Sequence, residues 1–294
     1  MKKGIIFAAL ASFLWGLLPL YLKLMKDVSS LEILLHRMLW SLIFVIMILA
    51  YKRHFSWLKA VITNPKILLT FVASSLCIAI NWFIYIWAVN SNHVVDASLG
   101  YFILPLMHVV MGYFFLNERM RSLQWCAVAI AALGVLWLAI EAGQIPWIAF
   151  SLALTFGFYG LIRKTAKLNS LEGLSLETAL LAPFALIWLI LMAYNDQSSF
   201  AEGDVSVRLL LMLAGPITVI PLWLFSAGAR RLPLYLLGLL QYIAPTGQML
   251  LGVFLWDEPF QTAKIIGFTI IWSALAIYSA ESAWFVISNK KITK

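Results

Sequence analysis

Charged side chains are scarce in this sequence. Asp, Glu, Lys and Arg make up 12% of its 294 residues, whereas soluble domains carry roughly 25%. Hydrophobic residues reach 63%, against about 45–50% in soluble domains, and a chain of this length cannot bury so much apolar surface in water. The composition therefore excludes a soluble globular protein and predicts one that is embedded in a lipid bilayer.

Motifs that carry enzyme or metal chemistry are also missing. The sequence contains no Gly-rich phosphate loop with Lys, no HExxH or Cys/His metal pattern and no GxSxG turn. The only cysteines, Cys77 and Cys126, fall within apolar runs and indicate packing residues, not a disulfide framework. We therefore expect no cofactor, no metal, no ATP as energy source and no common hydrolase chemistry.

Long apolar runs are what the sequence does have. A helix needs about 20 apolar residues to cross the hydrocarbon core, and barrel strands would be shorter and alternating. Ten continuous runs of the right length occur, at 4–22, 34–51, 67–89, 94–116, 122–140, 145–162, 174–194, 207–229, 234–256 and 264–287. The predicted fold class is an all-α membrane protein with ten transmembrane helices.

Lys and Arg are distributed unevenly between alternate loops. With the N-terminus inside, 16 fall in cytoplasmic segments and 4 in outer segments, while Arg37 lies within the second run. The positive-inside rule then predicts that both termini are cytoplasmic. The net charge of +8 is not concentrated in a basic run, so we expect no nucleic-acid partner.

The chain resembles itself when it is shifted by 140 residues. The residues brought into register are Leu99 and Leu239, Ile103 and Ile243, Pro105 and Pro245, Gly112 and Gly252, Phe114 and Phe254, Glu118 and Glu258, and Ile130 and Ile270. A shift of 144 residues also aligns Trp15-Gly16 with Tyr159-Gly160. The repeat predicts a first half at 1–142 and a second half at 143–294. Because five helices per half is an odd number, the second half would be inverted in the membrane, as in many secondary transporters.

Ionisable residues within membrane helices are expensive and therefore informative. Glu32 and His36 are four residues apart on one helix face, and Arg37 follows directly. We predict an outer polar cluster or gate of Glu32, His36, Arg37 and Asp96, with Glu32 or Asp96 as the partner of Arg37. A structural ion pair at a helix end explains the same pattern, and proton coupling through His36 is a further alternative.

Polar and aromatic residues at deeper positions suggest a cavity for an organic solute. The candidate lining residues are Asn81, Tyr85, Tyr101, His108, Trp223, Gln241 and Gln248. Pro105 and Pro245 lie mid-run at equivalent positions and are candidate hinges, because proline removes a helical hydrogen bond. For any single aromatic residue in this set, core packing or the interfacial belt is the better interpretation.

Several stretches together resemble the EamA group of the drug/metabolite transporter superfamily, and more closely its RarD subgroup. They are Leu35-His36-Arg37 with Trp40-Ser41, Asn81-Trp82 through Trp87-Ala88-Val89-Asn90 to His93, Ala97-Ser98-Leu99-Gly100-Tyr101-Phe102, Gln124-Trp125, Phe158-Tyr159-Gly160 and Gln241-Tyr242 with Pro245. The resemblance spans nearly the whole chain. It implies ten helices in two inverted five-helix repeats, and a transporter that mostly exports small metabolites or drugs.

The sequence is thus interpreted as a secondary transporter of the bacterial cytoplasmic membrane. It would export a small organic metabolite or drug by alternating access, through a central cavity between the halves, with the solute and the lipid bilayer as its partners. Two alternatives are a membrane enzyme acting on a lipid-linked substrate and a membrane receptor or assembly factor. The sequence does not specify the substrate, the coupling ion, the direction of flow or the oligomeric state.

Overall fold

The computed structural model describes residues 2–116, 121–143, 145–229, 231 and 240–292, apart from some side chains within these ranges. The described residues form helices and no strands. In chain order these are α1 (Lys2–Gly16), α2 (Leu18–Lys23), α3 (Ser30–Tyr51), α4 (Trp57–Thr63), α5 (Pro65–Asn90), α6 (Val94–Leu116), α7 (Ser122–Glu141), α8 (Trp147–Thr165), α9 (Ser170–Tyr194), α10 (Ser199–Glu202), α11 (Val205–Ala229), α12 (Ile243–Leu255) and α13 (Thr262–Ile292).

The helices are long and apolar enough for a membrane. Within the described ranges, seven helical segments have the length and hydropathy of membrane spans, and three shorter apolar helical segments lie at Val94–Leu104, Trp147–Arg163 and Ile243–Leu255. Large apolar side chains such as Leu69, Phe184 and Phe254 are exposed on the outside. Exposed apolar surface on this scale suits lipid as solvent, and the chain is a multi-pass membrane protein.

Two apolar cores hold the helices together. One is built by buried residues of α3, α5, α9 and α11, and the other by residues of α6, α7, α12 and α13. Helix α8 contributes to both cores, with Leu152 in the first and Ala153 in the second. Because both of these cores draw on helices from early and late parts of the sequence, the two predicted halves interleave.

Glycine allows the closest helix approaches. A Cβ added to Gly100 of α6 would lie 2.7 Å from the backbone oxygen of Ala149 in α8. At a second helix pair, a Cβ on Gly228 of α11 would lie 3.0 Å from the Cβ of Ala8 in α1. Small residues at such crossings let helix backbones pack directly, which is how helices associate in lipid.

Glu258, a member of the repeated Pro–Gly–Glu pattern, caps the start of α6. Its two carboxylate oxygens accept hydrogen bonds of 2.8 Å from the backbone amides of Val94 and Val95. Gly252 keeps this contact open, because its added Cβ would lie 2.8 Å from Val95 Cγ2. The equivalent Glu118 lies outside the described residues.

Pro245 lies close to a break in its helical segment. Leu240 and Gln241 are helical, a turn follows at Tyr242, and helix α12 begins at Ile243, so Pro245 lies in the first turn after the break. The preceding residues 232–239 lie outside the described ranges. The backbone at Pro105 is helical within α6, but the Pro105 side chain is not described. Hinge motion at either proline stays a prediction.

Candidate functional site

A cavity of about 100 Å³ lies between α1, α3, α5, α6, α8, α11 and α12. Both predicted halves contribute to its wall. Its lining residues are Trp15, Leu18, Arg37, Ile78, Asn81, Trp82, Tyr85, Tyr101, Leu104, Phe156, Tyr159, Leu222, Gln241, Tyr242, Ala244, Pro245 and Gln248. Five of the seven predicted lining residues are therefore brought together here, namely Asn81, Tyr85, Tyr101, Gln241 and Gln248.

Asn81 is the best-anchored polar residue of the wall. Its amide nitrogen donates to the backbone oxygen of Leu152 and to Thr155 Oγ1, both at 3.1 Å. Its oxygen accepts a hydrogen bond of 3.2 Å from the hydroxyl of Tyr101. Asn81 thereby joins α5, α6 and α8 at the cavity, which explains why a buried amide is tolerated in an apolar helix.

Aromatic rings form one side of the cavity. The ring centroids of Tyr85 and Tyr101 are 5.7 Å apart, those of Tyr101 and Phe156 are 6.1 Å apart, and those of Phe156 and Tyr159 are 5.5 Å apart. These separations are typical of favourable aromatic pairs. A wall of this kind presents a rigid apolar surface to a small organic molecule.

Several buried polar atoms of the wall have no hydrogen-bond partner among the described residues. Gln248 donates through Nε2 to the backbone oxygen of Trp15 at 3.1 Å, but its Oε1 is unpaired. The hydroxyls of Tyr85 and Tyr242 are likewise buried and unpaired. Unsatisfied buried polar atoms are costly in proteins, so they indicate groups that a solute or water would pair with.

Arg37 lies in the cavity wall and not in an outer cluster, which corrects the sequence-based expectation. Its Nε donates to Thr218 Oγ1 at 2.8 Å, and its guanidinium carbon lies 4.4 Å from the centroid of the Trp82 ring. Neither Glu32 nor Asp96 pairs with it. Helical geometry explains the difference, since Arg37 is seven residues into α3, about 10 Å along the axis.

Glu32 instead holds the segment that leads into α10. Its carboxylate accepts hydrogen bonds from Ser198 Oγ at 3.0 Å and from the backbone amides of Ser199 and Phe200 at 3.1 and 3.0 Å. The Nε2 atom of His36 lies 4.0 Å from Glu32 Oε1, as the four-residue spacing predicted. These contacts join the start of α3 to the connection between α9 and α11.

Asp96 forms a separate ion-pair group at the start of α6. Its carboxylate lies 2.9 Å from Lys264 Nζ and 3.1 Å from His93 Nδ1. The four residues of the predicted outer cluster therefore divide into three places: Glu32 with His36, Arg37 at the cavity, and Asp96 with Lys264.

Trp223 and His108 complete the set of predicted lining residues. Trp223 is not part of the cavity wall: its side chain is 47% exposed and lies beneath Lys52, whose Nζ is 4.7 Å from the ring centroid. Its neighbour Leu222 lines the cavity instead. The backbone of His108 is helical, but its side chain lies outside the described part of the structure.

Sequence reasoning missed Glu177, a carboxylate that is buried within α9. Its oxygens accept hydrogen bonds from Ser74 Oγ at 2.5 Å and from the Tyr159 hydroxyl at 3.3 Å, and Arg163 Nη1 lies 3.8 Å away. The signal was present in the sequence, because Ser170-Leu171-Glu172 repeats Ser30-Leu31-Glu32 and aligns Glu177 with Arg37.

Comparisons with known proteins agree with this geometry. Residues 2–140 match the EamA-like transporter family. The chain is 44% identical to an uncharacterized transporter of Pseudomonas aeruginosa, over 97% of this chain and 95% of that protein. It is 41% identical to the protein RarD of Escherichia coli, over 96% of each chain.

The class of protein that these observations define is a multi-pass membrane transporter. The chain belongs to the EamA-like transporter family, in the group of the RarD proteins. A crystal structure of another protein has the same fold, with a TM-score of 0.59, a sequence identity of 20%, and coverage of 94% of this chain and 96% of that one. At this identity the likeness concerns the fold alone.

Proposed function

We propose that the protein is a secondary transporter that moves a small organic solute out of the bacterial cytoplasm by alternating access. The halves 1–142 and 143–294 would be inverted repeats of five transmembrane helices each, with both termini in the cytoplasm. The observation that carries the proposal is the cavity, which has an aromatic wall and unpaired polar atoms and is lined by both predicted halves. Such a cavity between repeats is where secondary transporters bind their solutes.

The helix contacts support the inverted repeat. Exchanging the halves turns the pair α6–α8 into α12–α1, the pair α5–α8 into α11–α1, and the pair α3–α11 into α9–α5, and all of these pairs are in contact. Three further contacting pairs are unchanged when the halves are exchanged, because each consists of two equivalent helices: α3–α9, α6–α12 and α7–α13. A two-fold pattern of this kind is what duplication followed by inverted insertion would produce.

The cavity wall repeats in the same way. Its lining includes the equivalent pairs Trp15 and Tyr159, Ile78 and Leu222, Tyr101 and Gln241, and Leu104 and Ala244. Each half thus contributes corresponding positions to a shared binding site. The pairs differ in chemistry, so one solute orientation would be favoured over its reverse.

Two crossed contacts support alternating access. Glu32 in the first half binds Ser198 in the second half, and Glu172 in the second half lies 2.7 Å from His54 Nε2 in the first half. Glu32 and Glu172 are equivalent in the repeat, and a shift of 144 residues also aligns His54 with Ser198. We interpret the two contacts as closures at opposite ends of the cavity, one of which would open in each state.

Transport is tested by counterflow in proteoliposomes. Metabolites and antibiotics are first screened for thermal stabilisation of the purified protein, and each hit is then assayed for exchange across the membrane. We expect Tyr101→Phe to reduce exchange several-fold, because it removes the hydrogen bond to Asn81 Oδ1 and leaves a buried acceptor unpaired.

Tyr194→Phe is the matched control, because Tyr194 is exposed at the end of α9 and should retain wild-type exchange. Stabilising ligands without counterflow would contradict the transport proposal and favour a receptor. Equal exchange by Tyr101→Phe and Tyr194→Phe would remove the cavity from the mechanism.

A further inference from the structure

Arg37 is a buried cation whose charge the described residues do not neutralise. It is 7% exposed, lines the cavity and forms no ion pair with any acidic side chain that the structure describes. Its Nε is used by Thr218, while its two terminal nitrogens make no hydrogen bond within the same set of residues. A guanidinium offers five N–H donors, so four remain for another partner.

Glu177 provides an internal comparison. It occupies the position equivalent to Arg37 in the other half, and Ser74, its hydrogen-bond partner, is equivalent to Thr218 at a shift of 144 residues. Glu177 also has a cation, Arg163, within 3.8 Å. One of two equivalent buried charges is therefore paired within the protein, and the other, which faces the cavity, is not.

The surroundings of Arg37 stabilise a cation only in part. The face of Trp82, 4.4 Å from the guanidinium carbon, attracts positive charge, and Thr218 accepts one hydrogen bond. Neither contact supplies a negative charge, and an unpaired charge is expensive within a membrane. The missing counter-charge would have to come from whatever occupies the cavity.

We infer that the transported solute is a small organic monocarboxylate, held where the free guanidinium nitrogens of Arg37 meet the aromatic wall of the cavity. This inference rests on the proposed transport function and names its substrate class. The planar guanidinium matches a carboxylate through two parallel hydrogen bonds. The rings of Tyr85 and Tyr101 face the apolar body of the solute, while the unpaired Gln248 Oε1 accepts a hydrogen bond from any donor that it carries.

Charge and volume narrow the class further. One uncompensated cation calls for a singly charged anion, which favours a monocarboxylate over phosphate or a dicarboxylate. The cavity of about 100 Å³ is smaller than the engineered cavity of about 150 Å³ that binds benzene. In this conformation the cavity therefore favours small acids, which are the first to be tested.

The test compares acids with their neutral amides on the purified full-length protein. The probes are acetate and acetamide, propionate and propionamide, and benzoate and benzamide, with thermal stabilisation as the measurement. We expect at least one acid to bind about tenfold or more tightly than its amide. Arg37→Gln should reduce the ratio of acid to amide affinity to about one. Arg37→Lys should retain part of this ratio, because lysine keeps the positive charge but cannot donate two parallel hydrogen bonds from a planar group.

Arg208→Gln is the matched control, since Arg208 bonds to backbone oxygens of Phe200 and Ala201 away from the cavity, and it should keep the full ratio. If Arg37→Gln does not fold, the inference is tested by the acid-to-amide affinity ratio of the wild type and by its reduction in Arg37→Lys. No preference for any acid over its amide would overturn the inference, as would equal stabilisation by inorganic phosphate.

Counterflow separates this inference from the proposed function. Exchange of neutral solutes without any preference for acids would leave transport standing and remove the carboxylate assignment. An acid preference that depends on Arg37, without counterflow, would retain the anion site and contradict transport.

Discussion

Gly100 lies where helices α6 and α8 pack closely together. Of the described glycines that α6 and α8 contribute to this contact, it has the shorter distance from an added Cβ to the other helix. The nearest atom to an added Cβ is a backbone oxygen, 2.7 Å away, which cannot rotate aside as a flexible side chain could. Gly16 differs, because its added Cβ would lie 3.5 Å from the nearest atom, the backbone oxygen of Ala244. The two glycines therefore respond differently to the same substitution.

We expect Gly100→Ala to lower the free energy of unfolding by about 1–3 kcal/mol, as overpacking of a tight contact does. Gly16→Ala should leave it unchanged or raise it slightly, because alanine favours the helix by up to about 1 kcal/mol. Thermal unfolding in detergent micelles measures both. Equal melting temperatures for the two variants would contradict the close contact.

The contacts of individual side chains were the features least well predicted from the sequence. Helical spacing places Asn81 and Tyr85 on one side of α5, and the structure brings both to the same cavity as Tyr101 of α6. The predicted environment of Trp223 was wrong. Its neighbour Leu222 lines the cavity instead, because a step of one residue along a helix changes the direction of the side chain by about 100°. The partner of Arg37 could not be derived either, because it depends on α11, distant in sequence.

At the scale of elements, the start of α6 depends on one distant carboxylate. The amides of Val94 and Val95 have no acceptor within their own helix, as is true of the first amides of any helix. Glu258 accepts from both and is itself buried. The negative charge also complements the positive end of the helix dipole.

We expect Glu258→Ala to destabilise the protein more than Glu258→Gln. Alanine leaves two buried amides without acceptors, at about 1–3 kcal/mol each, whereas glutamine still offers one oxygen. Glu202, an exposed residue of α10, provides the control, and Glu202→Ala should unfold like the wild type. The melting temperatures of all three variants are measured by thermal unfolding. Equal melting temperatures for Glu258→Ala and Glu258→Gln would contradict the capping role of Glu258.

Helix positions were well predicted from the sequence because hydropathy is a local property. The runs at 94–116 and 122–140 correspond to α6 (Val94–Leu116) and α7 (Ser122–Glu141). The short helices α4 and α10 were not predicted, because they are too short to appear as membrane-spanning apolar runs. The break between α1 and α2 at Leu17 was missed for a different reason: the run at 4–22 is apolar throughout.

At the scale of the whole molecule, the proposed inverted repeat predicts how the chain is oriented in the membrane. If each half crosses the membrane five times, the link between the halves lies on the side opposite to both termini. Equivalent residues of the two halves, such as Glu177 and Arg37, would then lie toward opposite sides of the membrane. The distribution of Lys and Arg predicts that both termini lie in the cytoplasm.

Topology reporters fused after residues 54, 143 and 294 check this arrangement. We expect the fusions at 54 and 294 to report a cytoplasmic location and the fusion at 143 to report the outer side. The physical reason is the charge distribution, since cytoplasmic loops retain Lys and Arg. Fusions at 143 and 294 that report the same side would contradict the inverted repeat.

If the proposed cycle and monocarboxylate site hold, the unpaired charge of Arg37 would also determine how voltage acts on transport. The binding site would carry one positive charge when the cavity is empty and none when a monocarboxylate is bound. A membrane potential then acts on the empty return step, by up to about 2.3 kcal/mol per charge for each 100 mV. With the cytoplasm negative, the field draws the vacant site inward, where export would load it again.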